Sequence, residues 1–133
     1  MKEADVETLV KYRLEQARTT LADAKCLIDG SGSPQSIINR SYYAMFYAVL
    51  ALLQGTGNVP SKHTGAIGLF DREFIRGGLL PRDLSRDLHR AFDARQAADY
   101  RFADPIGPGE AREAWEKASR FVEAIAAHLS TGK

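Results

Sequence analysis

Cysteine is all but missing from this sequence. Cys26 is the only one, so neither a disulfide framework nor a cysteine-rich zinc site can be built within one chain. An excess of one sign of charge is missing too. Lys and Arg number 18 against 17 Asp and Glu, a formal net charge of +1, which gives no global pull toward nucleic acid or membrane. Any basic surface must come from local arrangement. The longest apolar run, "YYAMFYAVLALL" at 42–53, falls short of the ~18–20 residues a bilayer span needs. It reads as a buried core helix, and no membrane partner is expected. The opening "MKEADVETLVKYRL" carries charges throughout and no apolar core, unlike a signal peptide; with a lone thiol, the expected location is cytoplasmic. No HExxH, paired metal carboxylates or nucleophile elbow occurs, and no Gly-rich loop follows a strand. These absences remove the common zinc-hydrolase, P-loop and Rossmann readings, and no metal or cofactor is expected.

What remains is enough for one ordinary domain. The chain has 133 residues, 44% hydrophobic and 26% charged, the balance of a folded globular chain, and the expected unit is 1–133. Helical periodicity dominates. Val10, Leu14, Ala17, Leu21, Ala24 and Ile28 recur at alternating steps of four and three, one apolar stripe on a long first helix. "DGSGSP" at 29–34 then breaks the chain: Gly30 can end that helix, Ser33 can cap the next, and Pro34 suits its first position. The second helix is predicted from about Pro34 to Gln54. Tyr42, Phe46, Val49 and Leu53 form one stripe, and Tyr43, Tyr47 and Leu50 a second beside it. A helix apolar on most sides belongs at the centre of a bundle.

A third helix is predicted over about Lys62–Arg76, stopped by Gly77 and Gly78, with Ile67, Phe70, Phe74 and Ile75 inward. Pro81 opens a fourth, whose core positions are Leu84, Leu88, Phe92 and Arg95. A last helix spans about Glu110–Leu129, with Ala114, Trp115, Ala118, Phe121, Val122, Ile125 and Leu129 inward. No strand pattern or internal repeat is visible. The fold class is therefore all-α, an antiparallel bundle of about five helices.

Polar residues that could do chemistry gather in two places. Arg40, Tyr43 and Tyr47 share one face of the second helix. "ARQAADYRF" at 94–102 ends the fourth, with Arg95 and Asp99 one turn apart. If these helices run antiparallel as neighbours, Arg40, Tyr43, Arg95, Asp99 and Tyr100 converge, and Asp99 becomes the expected partner of Arg40. Two readings stand for such a cluster: a structural network that sets helix register, or a binding site in which the arginines hold phosphate or RNA. Lys62 and His63 open the third helix, where His63 serves either as an ordinary helix-start residue or as a proton carrier. Arg82, Arg86 and Arg90 form an i, i+4, i+8 stripe flanked by Asp83 and Asp87. Segment 71–101 holds seven arginines against six acids, so the stripe reads as a solvated, salt-bridged face or as an RNA- or partner-facing ridge.

The pieces "NRSYYAMFYAVLALL", "KHTGAIGLFDREFIRGGLL" and "ARQAADY", in that order, resemble the HEPN superfamily, in its small stand-alone prokaryotic branch, over roughly residues 5–130. The resemblance implies a helical bundle, commonly homodimeric. It also implies membership of a toxin–antitoxin or related system that includes a nucleotidyltransferase-like antitoxin partner, with RNA or a nucleotide as ligand. Several branches are metal-independent endoribonucleases whose motif is Arg, four to six residues, then His. Aligned on Arg95, that motif places Tyr100 at the histidine position. Tyrosine, with an unperturbed pKa of ~10, suits hydrogen-bond donation better than base catalysis at neutral pH. The implied catalytic set is Arg95, Asp99 and Tyr100, with Arg40, Tyr43, Lys62 and His63 as ligand-binding residues. The rival reading is a non-catalytic helical module that binds a nucleotidyltransferase partner.

Overall fold

The structure is a computed structural model that describes residues 2–131. Among them are five α-helices and no strand: α1 Glu3–Asp29, α2 Pro34–Thr56, α3 His63–Phe70, α4 Arg82–Ala98 and α5 Pro108–Thr131. The α1–α2 turn forms as its residues dictate. Ser33 takes extended backbone geometry and its side chain accepts from the Ser36 N–H at 3.1 Å, with Pro34 in the first helical turn. This satisfies one of the donors that a helix start leaves free.

Helix α2 lies at the centre and packs on α1, α3, α4 and α5. Tyr42, Val49 and Leu53 of its first stripe are 0% exposed; in the second, Leu50 is buried while Tyr43 and Tyr47 pack at the margin of the core. Ala17, Leu21 and Ala24 of α1 are buried, as are Leu84 and Leu88 of α4 and Ala118, Phe121, Val122 and Ile125 of α5. Phe92, Trp115 and Leu129 pack at the margin of the core. The Trp115 indole N–H donates to the Leu21 carbonyl at 3.0 Å, tying α5 to α1 with a polar bond inside an apolar contact.

The third helix differs from the sequence expectation. Its α-helical hydrogen bonding stops at Phe70, and Asp71–Ile75 continues as a π-helical turn, closed by the Arg76 N–H donating to the Asp71 carbonyl at 2.9 Å. A partner on α4 accompanies the slip. The Asp71 carboxylate accepts from the Ser85 hydroxyl at 2.7 Å and lies 2.6 Å from His89 Nε2. Gly77 and Gly78 end the segment. A Cβ on Gly77 would stand 2.7 Å from the Glu73 carbonyl, and Gly78 has φ +78°, a backbone state that glycine adopts without steric cost.

Candidate functional site

The side-chain pairings show that α2 and α4 run antiparallel. Gln35 at the start of α2 donates to Asp99 at the end of α4. Further along, Arg95 lies over the Tyr42 and Tyr43 rings, and Tyr42 meets Phe92 at 5.8 Å. Between these helix ends lies an open cleft of about 720 Å³, lined by residues that include Gln35, Asn39, Arg40, Arg95, Asp99 and Tyr100. The polar residues of α2 are concentrated in its first two turns, so the helix offers the cleft its hydrophilic end and keeps its apolar length for the core.

Two guanidinium groups converge on one tyrosine. Arg95 Cζ lies 5.1 Å from the Tyr43 ring centroid and 5.6 Å from that of Tyr42. Arg40 Cζ lies 5.3 Å from the Tyr43 centroid, and its N–H groups donate to the neighbouring Asn39 side chain at 3.2 and 3.3 Å. Both arginines are half-buried. Neither forms a salt bridge among the described residues. Stacking on an aromatic face holds a guanidinium plane while its N–H edge stays open to an anion.

Arg40 and Asp99, expected within direct or water-bridged reach of each other, form no direct ion pair among the described residues. Asp99 lines the same cleft, but its hydrogen-bond partner is Gln35, and Arg40 rests on Tyr43 instead. Gln35 reaches Asp99 from one turn before Arg40 on α2. Gln35 and Asn39 line the cleft beyond the residues expected from sequence; their signal is an i, i+4 spacing at the polar end of an otherwise apolar helix.

His63 belongs to the wall behind the cleft. Its ring stacks on Phe46 with centroids 4.0 Å apart and planes 1° from parallel, and Nδ1 lies 2.6 Å from the Tyr42 hydroxyl. Burial raises the Tyr42 hydroxyl far above the ordinary tyrosine range, against a partly compensating pull from Arg95. Burial, reinforced by the Arg95 charge, lowers His63 below its usual value. The phenol therefore keeps its proton and the imidazole is neutral, so the contact between the Tyr42 hydroxyl and His63 Nδ1 is a hydrogen bond between two uncharged groups. Lys62 is exposed in the extended residue before α3 and lines no part of this cleft. Tyr100, on the rim, is 77% exposed. The Arg82, Arg86 and Arg90 stripe is exposed, and none of the three is ion-paired among the described residues. That face is solvated without the salt-bridge lacing the sequence suggested.

No group of three or more His, Cys, Asp or Glu side chains among the described residues could hold a metal ion. No helix among them is long and apolar enough to cross a membrane.

Comparison with known proteins agrees with this architecture. The family model for the HEPN domain matches residues 10–128. A UPF0332 protein of Thermotoga maritima is 35% identical over 119 residues, covering 90% of this chain and 89% of its own. Two proteins of Methanocaldococcus jannaschii carry the names "Putative toxin MJ0142" and "Putative toxin MJ0605". The first is 35% identical over 92 residues, 69% of this chain and 63% of its own. The second is 29% identical over 121 residues, 91% of this chain and 89% of its own.

Proposed function

The chain belongs to the HEPN domain family, and from that premise we propose that it is the RNA-binding member of a toxin–antitoxin system, acting through the cleft between α2 and α4. The observation that carries this reading is the pair of guanidinium groups, Arg40 and Arg95, held over Tyr43 without a carboxylate partner among the described residues. A part-exposed arginine seated on an aromatic face keeps its charge solvated and leaves N–H donors free for an anion. Each guanidinium offers a planar fork of N–H donors that matches phosphate oxygens. Asp99 is the opposing charge in the cleft, and its bond to Gln35 draws it toward the α2 terminus. The names of the two archaeal relatives support the toxin side of the reading. A nucleotidyltransferase-like antitoxin is the partner this reading assigns, and the working unit is a homodimer.

Cleavage of RNA needs a group to take the 2′-hydroxyl proton and a cation to hold the developing phosphate charge. Arg95 supplies the second. At the superfamily's histidine position stands Tyr100, and Nδ1 of His63 is engaged with the Tyr42 hydroxyl. The isolated chain is therefore expected to bind RNA and to cleave it weakly or not at all.

Fluorescence anisotropy with a labelled RNA oligomer, across a salt series, tests this. Affinity should fall with added salt. Removing either arginine, as Arg40→Ala or Arg95→Ala, should weaken binding and flatten the salt dependence by ~0.7 in logarithmic slope for single-stranded RNA. Circular dichroism verifies that the variants fold. With chelator present, Tyr100→His should raise RNA cleavage above wild type. A chain that binds no RNA, or whose binding ignores both arginines, belongs instead to the class of protein-interaction modules.

A further inference from the structure

The segment that follows α4 holds its aromatic residues in a way the core does not explain. Tyr100 is 77% exposed and Phe102 86% exposed, in a chain whose other phenylalanines are buried or packed against the core. Arg101, between them, is anchored inward. Its Nη1 donates to the Glu110 carboxylate at 2.6 Å, its Nε to the Asp104 carbonyl at 2.8 Å and its Nη2 to the Asp104 carboxylate at 3.3 Å. The Arg101 side chain is only 25% exposed. An anchored residue between two outward-facing neighbours keeps both rings in solvent while the backbone beneath them is tied to the start of α5. Among the described residues these two are the most exposed of the large hydrophobic side chains, and they stand two residues apart, so their faces are open to a ligand.

We infer that Tyr100 and Phe102 form a base-stacking subsite, on which an unpaired nucleobase lies while its phosphate is held by Arg40 and Arg95. Tyr100 lines the arginine cleft itself, so it stands where a base would emerge from a phosphate bound there. Flat aromatic rings beside cations are the combination that grips single-stranded nucleic acid, because every base has a π-face and every nucleotide a phosphate. A base inside a duplex has both faces covered by its neighbours and cannot use the rings. The inference gives Tyr100 a role that needs its ring rather than its hydroxyl, and it brings in Phe102. It rests on the reading of the arginine cleft given above.

The test uses two probes of equal length and charge on the full chain: an unstructured single-stranded RNA and an oligomer of the same backbone with abasic sites in place of the bases. Wild type should bind the RNA at least ~10-fold more tightly than the abasic probe. Tyr100→Ala and Phe102→Ala should each reduce that preference severalfold and leave the salt slope unchanged, while Tyr100→Phe should bind within about twofold of wild type. Both positions are exposed, so truncation removes no core contact. Equal affinity of wild type for the two probes, or alanine variants that keep the full preference, would overturn the subsite while the arginine dependence of the slope still stood. Loss of binding in Tyr100→Phe would assign the role to the hydroxyl and overturn stacking as well. If neither arginine variant changes the slope, the cleft reading itself falls, and that result is read separately from the aromatic variants.

Discussion

Tyr42 and His63 show how burial decides the chemistry of a single group. The phenol is fully buried in α2 and held protonated; the imidazole beside it is held neutral, by burial first and the Arg95 charge second. The same hydrogen bond is thus available at neutral pH and weakened by acid. The sign follows from linkage. An unfolded histidine titrates near ~6.5, and folded His63 titrates lower, so between the two values the unfolded chain takes up a proton that the folded chain resists. The stabilisation is complete above ~6.5 and is lost as pH falls through the folded value of His63. Urea unfolding of wild type and His63→Gln should therefore show the largest stability difference above pH ~7 and a narrowing difference toward pH 5. A difference that grows as pH falls would mean that His63 is held charged in the folded chain, against the lowering by burial and Arg95.

Elements meet here through a few polar contacts set on broad apolar ones. The π-helical turn Asp71–Ile75 presents Asp71 to Ser85 and His89, which lie one turn apart on α4. Those two bonds tie the π-helical turn to the first half of α4, which Pro81 opens. Asp71→Ala should cost about 1–2 kcal/mol, the net worth of hydrogen bonds made by a partly exposed carboxylate, and hydrogen exchange should rise first near the start of α4. Unchanged stability would mean that the apolar packing of Phe74 and Leu84 alone places the two segments. At the other end of α4, Arg95 and Asp99 behave as neighbours on one helix face but serve different partners, Tyr43 and Gln35. The ends of α2 and α4 are thus joined by a stacking contact and a hydrogen bond, with no ion pair between Arg40 and Asp99.

At the scale of the whole molecule, one hydrophobic cluster runs from Ala17 and Leu21 through α2 to Phe121 and Ile125. The cleft lies at the edge of that cluster, where the polar start of α2 meets the end of α4, so its arginines are carried on helices packed against a rigid core. Such placement suits a site that must hold phosphate without reorganising. The homodimer assigned above should bury at least ~1,000 Å² in total if it is specific. Sedimentation at micromolar concentration should then give about twice the 14.7 kDa of one chain. A single 14.7 kDa species would remove the dimer from the proposal and leave the cleft as the property of one chain.

Most of the architecture is local information, and the sequence by itself determined it. The spacing of Tyr42, Phe46, Val49 and Leu53 places α2 centrally because helical periodicity depends only on residue order, and Ser33–Pro34 starts that helix through bonds within its first turn. The same reasoning put Arg95 and Asp99 one turn apart and brought the two arginines to one end of the bundle. Tertiary structure decided the partners. Whether Asp99 meets Arg40 or Gln35 turns on how far α4 is shifted along α2, a displacement that the whole α2–α4 contact, including Tyr42 against Phe92, decides and residue spacing alone does not. The π-helical turn has no periodic signature of its own; Asp71 is engaged by Ser85 and His89 only after α4 has folded back beside it. Arg82, Arg86 and Arg90 stand beside acids in sequence, yet adjacent positions on a helix point in different directions, and these arginines face solvent with no ion pair among the described residues.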